Sequence, residues 1–130
     1  MFNVSFFMFN IMDVFMKENI LLDISIEFSV KIIDLARCLK EQRETIISNQ
    51  IGRSGTSIGA NIHEAQFGNS KPDFISKLHI ALKEANETKY WLTLLHKTNY
   101  ISDMDFASLG NDCEKIKAML IKSLNTAKKN

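Results

Sequence analysis

The sequence predicts an all-α protein, an antiparallel up-down-up-down four-helix bundle. Apolar residues recur at steps of three and four along four segments, which is the period of amphipathic helices, and no stretch alternates as a strand would. Short polar connections separate the segments, and short connections make consecutive helices antiparallel. The 130 residues are enough for one domain with a core that needs no metal or disulfide.

Residues 1–16 differ from the rest of the chain. They are rich in Phe and Met, carry a single charge and show no regular period. They lack the basic start and the small-residue cleavage site of a signal peptide, and they are too short to span a bilayer. We therefore expect residues 1–18 to be an N-terminal extension, either disordered or present only because translation begins at Met12 or Met16. The bundle domain is assigned to residues 19–130.

The first helix is predicted from about Asp23 to Arg43. Two adjacent apolar stripes run along it, which is more apolar surface than one neighbouring helix covers. Surplus apolar surface of this kind indicates self-association. The two stripes are Ile26, Val30, Ile33 and Ala36, and beside them Phe28, Ile32, Leu35 and Leu39.

The second helix is predicted from about Thr45 to Phe67. Gly52, Gly55 and Gly59 lie within it, and each glycine costs a helix about 1 kcal/mol relative to alanine. A loop is the alternative, but the apolar period continues through the glycines and favours a helix that another backbone approaches closely. The apolar stripe consists of Ile47, Ile51, Ser54, Ile58, Ile62 and Ala65.

The third helix is predicted from about Lys71 to Thr98. We expect Gly68 to end the second helix in the left-handed conformation and Ser70 to cap the third, with Pro72 in its first turn. The apolar seam follows the heptad rhythm of helices that pack in bundles. The seam consists of Phe74, Leu78, Ala81, Ala85, Thr88, Leu92 and Leu95.

The fourth helix is predicted to begin at Ser102, with an acidic first turn. Its seam is Phe106, Leu109, Cys113, Ile116, Leu120 and Ala127.

The end of the chain is basic although the net charge of the protein is only +1. Lysines at the end of a helix commonly complement its dipole, and this is the interpretation we favour. The alternative is a basic patch for the phosphate backbone of a nucleic acid. This basic tail consists of Lys115, Lys117, Lys122, Lys128 and Lys129.

The titratable residues do not form a recognisable catalytic pattern. His63, His79 and His96 have no partner at metal-ligand spacing, no Glu-x-x-His run occurs, and the glycines do not match a phosphate loop. Cys38 and Cys113 match no metal or redox spacing and are expected to be small core residues of a reduced, cytoplasmic protein. We therefore expect no enzyme activity, no catalytic residue, no metal and no cofactor.

A set of polar residues follows one side of the second helix and faces charged residues of the third. One interpretation is an ion-pair network that sets the register of the two helices, and this is the one we favour. The other is a ligand-contact face in an oligomer. The set consists of Arg53, Ser57, Asn61 and Glu64 on the second helix and Lys77, Glu84 and Glu87 on the third.

Residues 50–67 contain the run Arg-Ser-Gly-Thr-Ser-Ile-Gly-Ala-Asn-Ile, followed after one residue by Glu-Ala. Residues 70–75 read Ser-Lys-Pro-Asp-Phe-Ile, and the similarity continues through residues 77–92. In these motifs the chain resembles a bacterial family of four-helix-bundle proteins first noticed in intervening sequences of 23S ribosomal RNA genes. The resemblance extends from Asp23 to Ser102.

The resemblance implies an antiparallel bundle that assembles as a homopentamer. Relatives include the accessory protein of diversity-generating retroelements, which looks like a basic pentameric barrel that contacts nucleic acid and a reverse transcriptase. This chain departs from it in being nearly neutral. If motif residues have a function here, the resemblance points to Arg53, Ser57, Asn61, Glu64 and Lys77.

Two functions are consistent with the sequence. The first is a non-catalytic homo-oligomer that binds structured RNA, such as ribosomal RNA, or a nucleic-acid-processing partner of the reverse-transcriptase type. The second is a protein-interaction or scaffold module with no nucleic-acid role. The basic tail and the resemblance motivate the first, and the near-neutral charge and broad apolar faces motivate the second.

Overall fold

The computed structural model describes the backbone of residues 4–129 and the side chains of Met16 and of residues 19–129. This part of the chain contains four helices and no strand. Each helix packs against the next along the chain, and α1 also contacts α4, so the predicted all-α four-helix bundle is confirmed. The helices are α1 (Val4–Glu41), α2 (Ile46–Gln66), α3 (Lys71–Lys97) and α4 (Asp103–Lys129).

Helix α1 begins at Val4, so the predicted start near Asp23 is wrong. Residues 4–22 contain neither Gly nor Pro, and without such a residue nothing in the local sequence ends the helix. The division into an extension over residues 1–18 and a bundle over residues 19–130, and the site at which translation begins, stay predictions.

The two apolar stripes of α1 have different surroundings. Phe28, Ile32 and Leu39 are buried in the core. Ile26 and Val30 are about half exposed, at 50% and 54% of their full accessibility. One stripe is therefore covered by the bundle, and the other lies at the surface, as expected for a helix with more apolar surface than its neighbours cover.

Helix α2 is continuous through its glycines, and the alternative of a loop is excluded. A Cβ atom at Gly55 would lie 2.7 Å from Cγ2 of Ile32, so α1 can approach this closely only because the residue is glycine. A Cβ atom at Gly52 would lie 3.8 Å from Cβ of Ala36, which is ordinary contact. Close approach therefore explains Gly55 but not Gly52.

The ends of the helices agree with the predicted caps at two positions and differ at one. Oγ of Ser70 accepts a hydrogen bond from the backbone N–H of Asp73 at 3.2 Å, and Oγ of Ser102 accepts one from Asp105 at 3.1 Å. Gly68 does not take the left-handed conformation, so that prediction is wrong. Its N–H instead donates to the carbonyl of Ala65 at 3.2 Å in a tight final turn.

The seams of α3 and α4 follow the predicted rhythm. On α3, every predicted seam residue from Leu78 to Leu95 is buried, and Phe74 is partly buried. On α4, Cys113, Ile116 and Leu120 are buried, and the prediction missed Leu124, which is buried as well. The helices therefore present their apolar sides to a single core.

Candidate functional site

The guanidinium group of Arg53 on α2 lies between two carboxylates of α3. Nη1 of Arg53 is 3.4 Å from Oε2 of Glu84, and Nη2 contacts Oε2 of Glu87. The Glu84 side chain is largely buried, with 14% of its surface exposed, and charge-assisted bonds of this type are stronger when water is partly excluded.

A second ion pair joins the same two helices farther along. Nζ of Lys77 on α3 lies 3.1 Å from Oε2 of Glu64 on α2. With the pairs of Arg53, this contact forms a network of ion pairs between α2 and α3. That the network sets the register of the two helices stays a prediction. A ligand-binding role for the same residues stays a prediction.

Ser57 and Asn61 lie on the same side of α2 but do not reach α3 through a hydrogen bond. Oγ of Ser57 donates to the backbone carbonyl of Arg53 at 2.6 Å. Nδ2 of Asn61 donates to the carbonyl of Ser57 at 2.8 Å. Short polar side chains can use the carbonyl group one turn earlier, and here they do so in place of an inter-helix contact.

An apolar groove lies on the outer side of α1 and α2. Its floor is formed by Gly59 and Ala60 of α2, and the exposed stripe of α1 forms its wall. Its volume is about 350 Å³. The groove is lined by Leu22, Ile26, Ser29, Val30, Ile33, Gly59, Ala60 and His63.

Two aromatic rings extend this apolar surface towards the end of α2. The rings of His63 and Phe67 have centroids 5.0 Å apart, and 72% of Phe67 is exposed. Neither residue was predicted from the sequence to belong to this surface. The signal that could have found them is their spacing of four residues on the side of α2 that also carries Gly59.

The lysines of the basic tail do not share one environment. Nζ of Lys117 lies 3.3 Å from Oε1 of Glu114, one turn earlier. Lys115, Lys122 and Lys129 are exposed, and no ion pair joins them to a carboxylate among the described side chains. The tail therefore contains one paired lysine and at least three that can meet a partner.

The chain matches one protein family over most of its length. The family model described as 23S rRNA-intervening sequence protein matches residues 17–122. The chain belongs to this family.

A solved structure supports the same assignment for this 23S rRNA-intervening sequence family member. It is a crystal structure of a protein with unknown function from the S23 ribosomal protein family of Bacteroides thetaiotaomicron. The two chains are 52% identical with a TM-score of 0.82, and the match covers 84% of this chain and 98% of the other. No curated protein is detectably similar to this chain.

The described side chains of this family member do not bring metal ligands together. No group of three or more His, Cys, Asp or Glu side chains among them is placed to hold a metal ion. Nε2 of His96 lies 2.6 Å from Oδ1 of Asp103, and its ring stacks on Phe106 at 4.2 Å. These contacts fasten the turn between α3 and α4.

The two cysteines differ in burial. Cys113 is buried, and desolvation raises the pKa of its thiol to about 11. Cys38 is exposed, so the prediction that both are core residues is wrong for it. Cys38 lies one position before buried Leu39, and a one-residue step on a helix turns a side chain by about 100°.

In the described part of the chain, none of the helices combines the length and the apolarity that crossing a membrane requires.

Proposed function

We propose that this family member is a non-catalytic homo-oligomer that binds structured RNA or a nucleic-acid-processing partner. The observation that carries the proposal is that an apolar surface and a basic surface lie on different helices. An exposed apolar groove lies on α1 and α2, whereas α4 ends in lysines without acids. Apolar grooves favour protein partners, and acid-free lysine clusters favour phosphates.

The groove supports self-association. It combines a floor of small residues with the protruding side chains of Ile26 and Val30, so one surface offers both a recess and the side chains that could fill a recess. The resemblance described above adds the stoichiometry of a homopentamer to this proposal.

The charge distribution and the name of the family support an RNA partner. The α4 segment from Lys115 onwards has five lysines and no acid, while the protein as a whole carries a charge of +1. The family takes its name from sequences that interrupt 23S ribosomal RNA. A local excess of lysine attracts a phosphate backbone even when the net charge is small.

The groove also supports a role without catalysis. Among the described side chains that line it, His63 is the only titratable one, and the others are apolar or small. A catalytic site needs several converging acid, base or nucleophilic groups, and the described groove offers none beside the imidazole.

Two measurements on the intact protein test the proposal. Light scattering after gel filtration should give a mass several times that of the 14.9 kDa chain. Binding to folded fragments of 23S ribosomal RNA should weaken steeply, by at least about tenfold, between about 50 and 200 mM salt. A monomer contradicts the oligomer, and the absence of binding at low salt contradicts the RNA partner.

The second candidate is a scaffold that uses the groove alone and binds no nucleic acid. It is favoured by the low net charge and by the exposed stripe of α1. Val30→Lys would place a charge in the groove and should disrupt assembly. Gln42→Lys adds the same charge at the exposed residue that follows α1 and is the control for the added charge. A scaffold keeps its cellular activity after substitution of the α4 lysines and loses it with Val30→Lys.

A further inference from the structure

We infer that the phosphate-contacting surface of this protein is one row of three lysines on the outer side of α4, Lys115, Lys122 and Lys129. This inference rests on the proposed RNA partner and specifies where it binds. Neither the remaining lysines of the tail nor the Arg53 network belongs to the surface.

The spacing of the three lysines places them in a row. A step of seven residues turns an α-helix through two full turns to within about 20° and advances it by about 10.5 Å. Lys115, Lys122 and Lys129 are separated by two such steps. Their ammonium groups therefore follow one line along α4, parallel to the helix axis.

The row points away from the core. The buried residues of α4 are Gly110, Cys113, Ile116, Leu120 and Leu124, which occupy the opposite side of the helix. Ala118, Asn125 and Thr126 lie beside the row and are exposed. They are short and uncharged, so nothing of opposite sign interrupts the row and the lysines are the longest side chains on it.

The other lysines of the tail are oriented differently. Lys117 and Lys128 are eleven residues apart, which again brings them onto a common side. Gly110 lies seven residues before Lys117 and faces the Lys89 side chain of α3, so this side flanks the contact with α3. The ammonium group of Lys117 is already neutralised by Glu114 at 3.3 Å. These two lysines are therefore less suited to a partner that approaches the outer side of α4.

The motif residues on α2 and α3 are a poor phosphate site. The network holds two cations, Arg53 and Lys77, against three carboxylates, those of Glu64, Glu84 and Glu87. Its net charge is negative, and the guanidinium group of Arg53 is occupied on both sides. A phosphate would have to displace a carboxylate that is already in place.

The row and the apolar groove can be used together. Helix α4 packs on α1 and α3 and lies diagonally across the bundle from α2, which forms the floor of the groove. A second copy seated in the groove leaves the outer side of α4 uncovered. Each copy in an assembly then contributes its own row, and several rows on one RNA increase the apparent affinity.

The partner is identified as the phosphate backbone and not the bases. Lysine ammonium groups are point charges that contact phosphate without selecting a base, and the short side chains between them cannot reach into a groove of folded RNA. The contact is therefore expected with any folded RNA of sufficient length.

The experiment compares two triple variants of the intact protein. Lys115→Gln, Lys122→Gln and Lys129→Gln are combined in one variant. The control combines Lys40→Gln, Lys83→Gln and Lys97→Gln, which are exposed lysines of α1 and α3 and change the net charge equally. Kd is measured by fluorescence anisotropy against salt, with a transcribed 23S ribosomal RNA fragment and with an unrelated RNA hairpin, after circular dichroism has shown that both variants are helical.

The row variant should bind both RNAs at least about tenfold more weakly at low salt, and its slope of log Kd against log salt should fall by at least about 2. The control should keep the slope of the native protein. If affinity for RNA falls equally in both variants, or if the row variant loses affinity for only one of the two RNAs, the inference is overturned while the proposed function stands. If the native protein binds neither RNA, the proposed function itself fails.

Discussion

Oγ1 of Thr88 on α3 and Oγ of Ser54 on α2 lie 2.9 Å apart, and both side chains are fully buried. Oγ1 of Thr88 also lies 2.8 Å from the carbonyl oxygen of Glu84. Since a hydroxyl group has one proton, the arrangement satisfies both groups if Ser54 donates to Thr88 and Thr88 donates to the carbonyl. The otherwise apolar seam between α2 and α3 thus contains a buried hydrogen bond between two hydroxyl groups, beside the Arg53 network.

Thr88→Val keeps the shape of the side chain and removes the acceptor for Ser54. We expect it to lower the free energy of unfolding by about 1–3 kcal/mol, because the buried hydroxyl group of Ser54 then keeps only a long contact of 3.5 Å to the carbonyl oxygen of Ile51. Denaturant unfolding measures the change.

The control for this prediction is the double variant Ser54→Ala with Thr88→Val. Its loss should be smaller than the sum of the two single losses, since no buried hydroxyl group remains unpaired. Additive losses would show that the two groups do not interact.

Gly55→Ala is expected to destabilise the protein by about 1–3 kcal/mol through overpacking. The added Cβ atom would meet Cγ2 of Ile32 at 2.7 Å, and Ile32 is fully buried and branched at Cβ, so it has little freedom to move. The measurement is the midpoint of thermal unfolding.

Gly52→Ala is the matched control on the same helix. Its Cβ atom would have 3.8 Å to the nearest side-chain atom, so the higher helix propensity of alanine should stabilise the protein by up to about 1 kcal/mol. Similar effects of the two substitutions would rule out the close-approach explanation for Gly55.

The ion pair between Lys31 and Asp112 predicts a loss of stability at high pH. Nζ of Lys31 lies 2.8 Å from Oδ2 of Asp112, and the hydrogen bond to this carboxylate, with its charge, raises the pKa of Lys31 above 10.5. A raised pKa in the folded state stabilises the protein below pH 10.5, and the contribution disappears as the pH rises through the folded-state pKa.

Asp112→Asn removes the cause of this shift. The difference in unfolding free energy between the native protein and the variant should therefore be larger at about pH 9 than at about pH 12. The other lysines and tyrosines titrate in both proteins, so their contributions cancel in the difference in unfolding free energy. A difference that does not change with pH would contradict the role given to Asp112.

The two thiols should react at very different rates. Cys38 is exposed, whereas Cys113 is buried with a pKa of about 11 and a contact of 3.3 Å from Sγ to the carbonyl of Ala85. Iodoacetamide at about pH 8 should alkylate Cys38 in the folded protein and Cys113 only after denaturation. Peptide mass spectrometry locates the label, and rapid labelling of Cys113 without denaturant would show that the core opens easily.

The sequence correctly predicted the contacts of the candidate site where the charged side chains are long enough to reach from one helix to the next. Arg53, Glu84, Glu87 and the pair of Glu64 with Lys77 meet between α2 and α3. Ser57 and Asn61 belong to the same stripe, yet each bonds to a carbonyl group of its own helix. A helical period shows which side of the helix a residue occupies. It does not show whether the side chain bonds to a carbonyl group of its own helix or to a residue of the neighbouring helix.

The number, order and direction of the helices, and most seam residues of α2, α3 and α4, followed from the sequence alone, because a period of three and four residues is a local property of the chain. Leu124 of α4 was the exception. Only the tertiary structure decided which stripe of α1 is buried. Phe28 and Ile26 belong to equally apolar stripes, but α1 has neighbours on two adjacent sides only, so Phe28 faces the core and Ile26 lines an open groove.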